Sequence, residues 1–169
     1  MMHRVHLRIA GRPSRLQNSL RFLILWMITG MLYYTVEGIW RIGNGGWANI
    51  VMLPIGGLCG VLVGSLHKIP RFYSMRVITQ ALLGTCIVLT IELLTGIVLN
   101  RWLGLQIWDY TGQPGNIMGQ ICLPYGVLWF AIMPFTIWLE DRLRWSLWRE
   151  GSPYSLGDIY KKLWTGGRL

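Results

Sequence analysis

A single carboxylate, Glu92, stands inside a long apolar run of this 169-residue chain. Ionisable side chains are costly in hydrocarbon, so one kept there points to binding, proton transfer or an internal hydrogen bond. Downstream come Asn100, the tripeptide Trp108-Asp109-Tyr110, and a Pro/Gly/Asn segment holding Asn116. A second apolar run then opens around Gln120. Glu37 closes the first apolar run of the chain. These eight residues form the candidate substrate-binding set, and no catalytic residue is assigned among them. Three chemistries compete for them. The acids could hydrogen-bond neighbouring helices, as polar groups do in membranes. They could bind a cation or exchange a proton during transport. Glu92 could also act with Glu37 or Asp109 as a general acid/base pair on a lipid or lipid-linked substrate.

The elements that must position these residues are readable from the apolar runs. Hydrophobic residues make up 53% of the chain and charged residues only 14%. They gather into Phe22 to Ile39, Ile50 to Leu66, Ile78 to Leu99 and Ile117 to Leu139, each near or beyond the roughly 17 residues that cross about 30 Å of hydrocarbon. Backbone polar groups in lipid must be satisfied within the segment, so four runs predict four helices. The fold class is therefore all-α, an integral membrane bundle of four transmembrane helices with short C-terminal interfacial helices. The alternating short segments of a membrane β-barrel are not seen. The division expected is a basic cytoplasmic tail over 1–21, the membrane domain over 22–139 and an amphipathic cytoplasmic tail over 140–169.

The net charge of +9 is unevenly spread. Arg4, Arg8, Arg12, Arg15 and Arg21 precede the first run, Lys68, Arg71 and Arg76 follow the second, and six more basic residues follow the fourth. The other two connections hold only Arg41 and Arg101. That asymmetry predicts cytoplasmic termini in the cell membrane and a bilayer partner, and it argues against nucleic acid. With this topology Glu37, Glu92 and Asp109 all fall toward the outer face, where an acidic pocket capped by Trp108-Asp109-Tyr110 is expected. The first run has no A-x-A-like cleavage site and reads as a retained anchor. Cys59, Cys86 and Cys122 lie inside apolar runs without C-x-x-C spacing and read as packing residues.

Gly56, Gly60 and Gly64 repeat at i+4 and predict a close helix contact, within the chain or between two copies in a homodimer. Gln80, Gly84, Val88, Glu92, Gly96 and Asn100 form a small-and-polar stripe that should face the bundle interior. Pro124 and Pro134 are expected inside the fourth helix, with Pro124 leaving the Gln120 carbonyl free. The aromatics divide between the two interfaces, Trp40, Trp47, Trp102, Trp108 and Tyr110 outside and Phe72, Tyr73, Trp138, Trp145 and Trp148 inside. Asp141 to Glu150 and Ser155 to Trp164 read as amphipathic helices on the cytoplasmic membrane surface, the second capped by Ser155. Metal-binding, Walker A and serine-hydrolase signatures are missing, so no metal or cofactor is expected and ATP coupling would need a separate ATPase subunit.

Glu92-Leu93-Leu94-Thr95-Gly96, Asn100, Trp108-Asp109-Tyr110, Pro114, Asn116, Gly119-Gln120-Ile121-Cys122-Leu123 and Trp129 together resemble the ABC-transporter type IV permease family of small bacterial multi-pass membrane proteins. The resemblance runs from the first helix onward and includes Glu37. It implies a permease-like transport component. Gly115 departs from the larger residue usual before the Asn in that pattern, which implies a looser loop.

Overall fold

Ser14 opens the first helix with a reciprocal cap: its hydroxyl accepts from Gln17 N, and its own N–H donates to the Gln17 side chain. The computed structural model describes residues 14–43 and 45–169. Arg4, Arg8 and Arg12, with His3 and His6 of the basic tail, lie outside the described residues. Helix α1 runs Arg15–Ile42, α2 Met52–Gly64, α3 Val77–Gly96, α4 Leu123–Trp148 and α5 Leu156–Thr165. A 3₁₀ turn, Ser65–Lys68, extends α2, and a π-helical segment, Ile97–Trp102, extends α3. No strand occurs among the described residues. The all-helical expectation holds, with one refinement. α1, extended α3 and α4 are long and apolar enough to cross a membrane, whereas Met52–Lys68 is a shorter apolar helix.

The helices alternate in direction, so one end of the bundle carries Ile42, Met52, Trp102 and Leu123. The other carries Arg15, Lys68, Val77 and Trp148, with α5 packed beside them. We call these the loop end and the terminal end.

Glycine fixes the tightest contact, between α1 and α2. A Cβ on Gly56 would overlap the Tyr33 ring, one on Gly57 the Trp26 side chain and one on Gly60 the Thr29 side chain. Opposite Gly57, Gly30 sits against the Leu53 carbonyl. Small residues let the two backbones approach where lipid supplies no hydrophobic drive. Gly64 meets Glu140 of α4 instead. The Gly56-Gly60-Gly64 face is thus filled by the chain's own α1 and α4, which corrects the expectation that it could pair two copies.

The stripe on α3 behaves as predicted. Gln80, Gly84, Val88, Glu92 and Gly96 are all buried, and Asn100 is partly so. Val88 and Val77 join Phe72, Met133, Ile137, Ile159 and Leu163 in the larger apolar core. Ile159 and Leu163 come from α5. Its apolar face packs on α3 and α4. Ser155 caps α5 as expected, accepting from Asp158 N at 3.0 Å.

Three boundaries differ from the sequence reading. Asp141 to Trp148 continue α4 and form no separate helix. Asn116 and Gln120 precede α4, within a loop that ends at Cys122. Pro124 consequently lies in the first turn of α4, where its missing N–H costs little, and only Pro134 is interior.

Two polar clusters tie the terminal end together. Arg144 pairs with the buried Glu140, donates from Nη2 to Gly64 O at 3.2 Å and faces His67 Nε2 at 3.1 Å. Asp141 accepts from the hydroxyls of Tyr73 and Tyr154, both at 2.7 Å. At the same end Val77 N donates to Gly167 O at 3.0 Å, satisfying an α3 N–H that would otherwise be buried unpaired.

Candidate functional site

Because α1 leans on α2 and α4 on α3, α1 and α4 meet only sparsely, leaving a cleft between them of about 470 Å³. Its walls are the 29–40 face of α1 and the 125–139 face of α4, and its floor is made by Gly56, Cys59, Val88 and Glu92. The rim is apolar and exposed, with Leu32, Val36 and Leu128 among the outward residues.

Glu92 is 6% exposed. Its Oε2 and the neighbouring indole nitrogen of Trp129 lie close together in the cleft without meeting good hydrogen-bond geometry, and neither has another partner among the described residues. A buried acceptor and a buried donor left unpaired cost more than an ordinary surface group, and such pairs in a native fold call for an explanation. Glu37 also lines the cleft, but its Oε1 accepts from Arg41 Nε at 2.6 Å. Arg41 in turn donates from Nη2 to Ile107 O at 3.2 Å, fastening the end of α1 to the loop.

Aromatic rings enclose the carboxylate. Tyr33 and Trp129 stack across the cleft from α1 and α4, with centroids 5.8 Å apart and planes 21° off parallel. Tyr110 stacks on Tyr125 at 4.5 Å and closes the loop end of the cleft. Burial, and then the nearby Glu92 carboxylate, hold the Tyr110 phenol well above its usual range. It therefore remains a neutral hydrogen-bonding group at any physiological pH.

The remaining candidate residues build the loop above the cleft. Asn100 Oδ1 accepts from Ile107 N at 2.7 Å, while its Nδ2 donates to Trp108 O at 3.0 Å and to Gln120 Oε1 at 2.8 Å. Trp108 Nε1 donates to Gln120 O at 3.0 Å. The Gln120 carbonyl expected to be freed by Pro124 is thereby occupied. Asn116 donates to the Thr111 and Gln113 carbonyls, each at 3.0 Å, and accepts from Gly119 N at 3.2 Å. Asp109 is exposed and accepts from Thr111 N at 2.8 Å and Thr111 Oγ1 at 2.5 Å. Those bonds hold its carboxyl below the usual aspartate range. Gly115 adopts φ +64° and Gly119 φ +71°, left-handed conformations that favour glycine. Gly115 therefore suits its turn.

Of the eight candidates, Glu37, Glu92 and Tyr110 share the cleft. Asn100, Trp108, Asp109, Asn116 and Gln120 are spent on the loop. The expected cap of Trp108-Asp109-Tyr110 is contributed by Tyr110 alone. Tyr33, Tyr125 and Trp129 line the cleft and are absent from the sequence-derived set. Their signal was present: Thr29, Tyr33 and Glu37 recur at i+4 on α1, as do Tyr125 and Trp129 on α4. Nothing in either spacing says that those two faces oppose each other. Among the described residues no group of His, Cys, Asp and Glu could hold a metal ion.

A family model described as "Putative ABC-transporter type IV" matches residues 24–149. The match takes in all of the cleft and all of the loop. No curated protein matches the chain, and no solved structure does.

Proposed function

The chain belongs to the family described as Putative ABC-transporter type IV, and on that premise we propose that it is a membrane-embedded transport component whose substrate occupies the α1/α4 cleft. The observation that carries this reading is the buried Glu92 carboxylate, with no positive charge among the described lining residues, on the floor of a largely apolar cleft. A stabilising carboxylate would have been given a partner, as Glu37 and Glu140 were. Glu92 instead has only the indole of Trp129 beside it, in poor hydrogen-bond geometry, which leaves it able to serve a transported molecule or proton. The general acid/base reading has less support. Asp109 is committed to Thr111 outside the cleft, and Glu37 is paired with Arg41.

The basic terminal end is read as cytoplasmic, with the cleft toward the outer leaflet and the membrane part spanning 22–139. A separate ATPase subunit would then dock at that end. The experiment compares cells carrying wild type and Glu92→Gln at equal membrane abundance, with untargeted measurement of solutes inside and outside. A solute whose distribution follows wild type and not the variant supports transport. Identical distributions for wild type, variant and empty vector overturn it.

A further inference from the structure

The cleft also has a charge preference. Its lining contains two carboxylates and six aromatic side chains, and among the described residues no Lys, Arg or His. Arg41 reaches Glu37 but not Glu92, so one negative charge is offset and the other is not. The groups that share the cleft with Glu92 include Tyr33 and Glu37 of α1, Cys59 of α2, Trp129 of α4 and Tyr110 of the loop. None can supply a positive charge.

From these features we infer that the α1/α4 cleft binds a lipophilic organic cation, with Glu92 as its counter-ion and Tyr33, Trp129, Tyr110 and Tyr125 as its aromatic walls. The inference deepens the transport reading above by naming the substrate class of the same site. A cation entering the cleft removes the cost of an uncompensated buried carboxylate. Ring faces attract it further, most strongly where water is excluded. The apolar rim sets the other half of the specificity. Leu32, Val36 and Leu128 are exposed along it, so the ligand arrives through hydrocarbon and must itself be hydrophobic. Small hydrated cations do not meet that requirement, and lipophilic anions would meet Glu92 with like charge.

The test uses two ions of the same shape and opposite sign, tetraphenylphosphonium and tetraphenylborate, against the full chain in nanodiscs. Wild type should bind the phosphonium saturably and the borate only by partition into lipid. Glu92→Gln should weaken phosphonium binding by about tenfold or more, as expected for loss of one desolvated charge contact. Glu92→Asp should retain most of it. Equal binding of both ions, or unchanged phosphonium binding by Glu92→Gln, overturns the assignment.

A second measurement leaves Glu92 in place, in case the variant does not fold. Cys59 lies on the cleft floor and is half-buried, while Cys86 and Cys122 lie outside the cleft. With Cys86 and Cys122 replaced by Ala, the phosphonium should slow alkylation of Cys59 and the borate should not. Failure of the phosphonium to protect Cys59 overturns the cation site. Solute distributions that still depend on Glu92, alongside no phosphonium binding, would remove the cation class and leave transport standing. Phosphonium binding without any solute difference would do the reverse.

Discussion

The side-chain amide of Asn100, at the end of α3, donates to the side-chain oxygen of Gln120, just before α4, at 2.8 Å. That bond, with the two that Asn100 makes to Ile107 and Trp108, locks the loop over the cleft. Replacing Asn100 with Leu strands a backbone N–H, a carbonyl and the Gln120 oxygen. Each stranded buried group costs about 1–3 kcal/mol, so a loss of roughly 2–4 kcal/mol is expected with partial relaxation. Thermal unfolding in detergent, against wild type, measures it.

The α1/α2 contact predicts a contrast among glycines. Gly60→Val must push its side chain into Thr29, which is itself buried and bonded to Leu25 O. Overpacking of that kind costs about 1–3 kcal/mol, and more where backbone must move. Gly46→Ala and Gly112→Ala meet nothing within 4 Å and should leave the melting temperature unchanged. Equal effects at Gly60 and Gly112 would contradict the packing described.

Arg144 and Glu140 form a pair whose carboxylate side is almost wholly enclosed. Arg144→Leu should destabilise by about 3–5 kcal/mol, because it abandons a buried charge. The double variant Glu140→Met, Arg144→Leu should recover much of that loss. A double variant no better than Arg144→Leu alone would mean that the lost hydrogen bonds to Gly64 and His67, rather than the stranded charge, dominate.

Asp109 supplies a pH test on the loop. Thr111 bonds hold its folded value below the ordinary 3.8. Its contribution is therefore fully present above the ordinary value and is lost as pH falls through the depressed one. Hydrogen exchange across 109–119 should show no loss of protection between neutral pH and about pH 5, then a loss in stronger acid. Asp109→Ala should lack that acid-induced step.

The charge asymmetry makes a topological prediction. Among the described residues the loop end carries Arg41 and Arg101, and the terminal end carries the other basic residues. A reporter fused after Leu169 should be active only in its cytoplasmic form. Activity of the exterior form would invert the assignment and place the cleft in the inner leaflet.

Much of the fold was legible because membrane constraints act locally. Hydrocarbon forces each apolar run to satisfy its own backbone, so the helices and their order follow from composition alone. The α3 stripe was legible for the same reason: residues spaced by four share a face whatever packs on it. The end of α4 was less so. Leu139 marks the end of strong hydropathy, yet Glu140 and Arg144 bond to each other at i+4 and Asp141 meets Tyr73 and Tyr154, which keeps the helix going through a charged stretch.

Sequence by itself determined that Glu92 sits in an apolar helix, and it placed Glu37 and Glu92 toward one end of the bundle. Only the tertiary structure decided which polar groups attend the carboxylate. The choice turned on α1 seating against α2 through Gly56 and Gly60, which leaves α1 and α4 apart and opens the cleft. It turned also on Asn100, Asn116 and Gln120 finding partners within the loop. Those contacts join residues distant in sequence, and periodicity along one helix carries no information about which neighbour a face will meet.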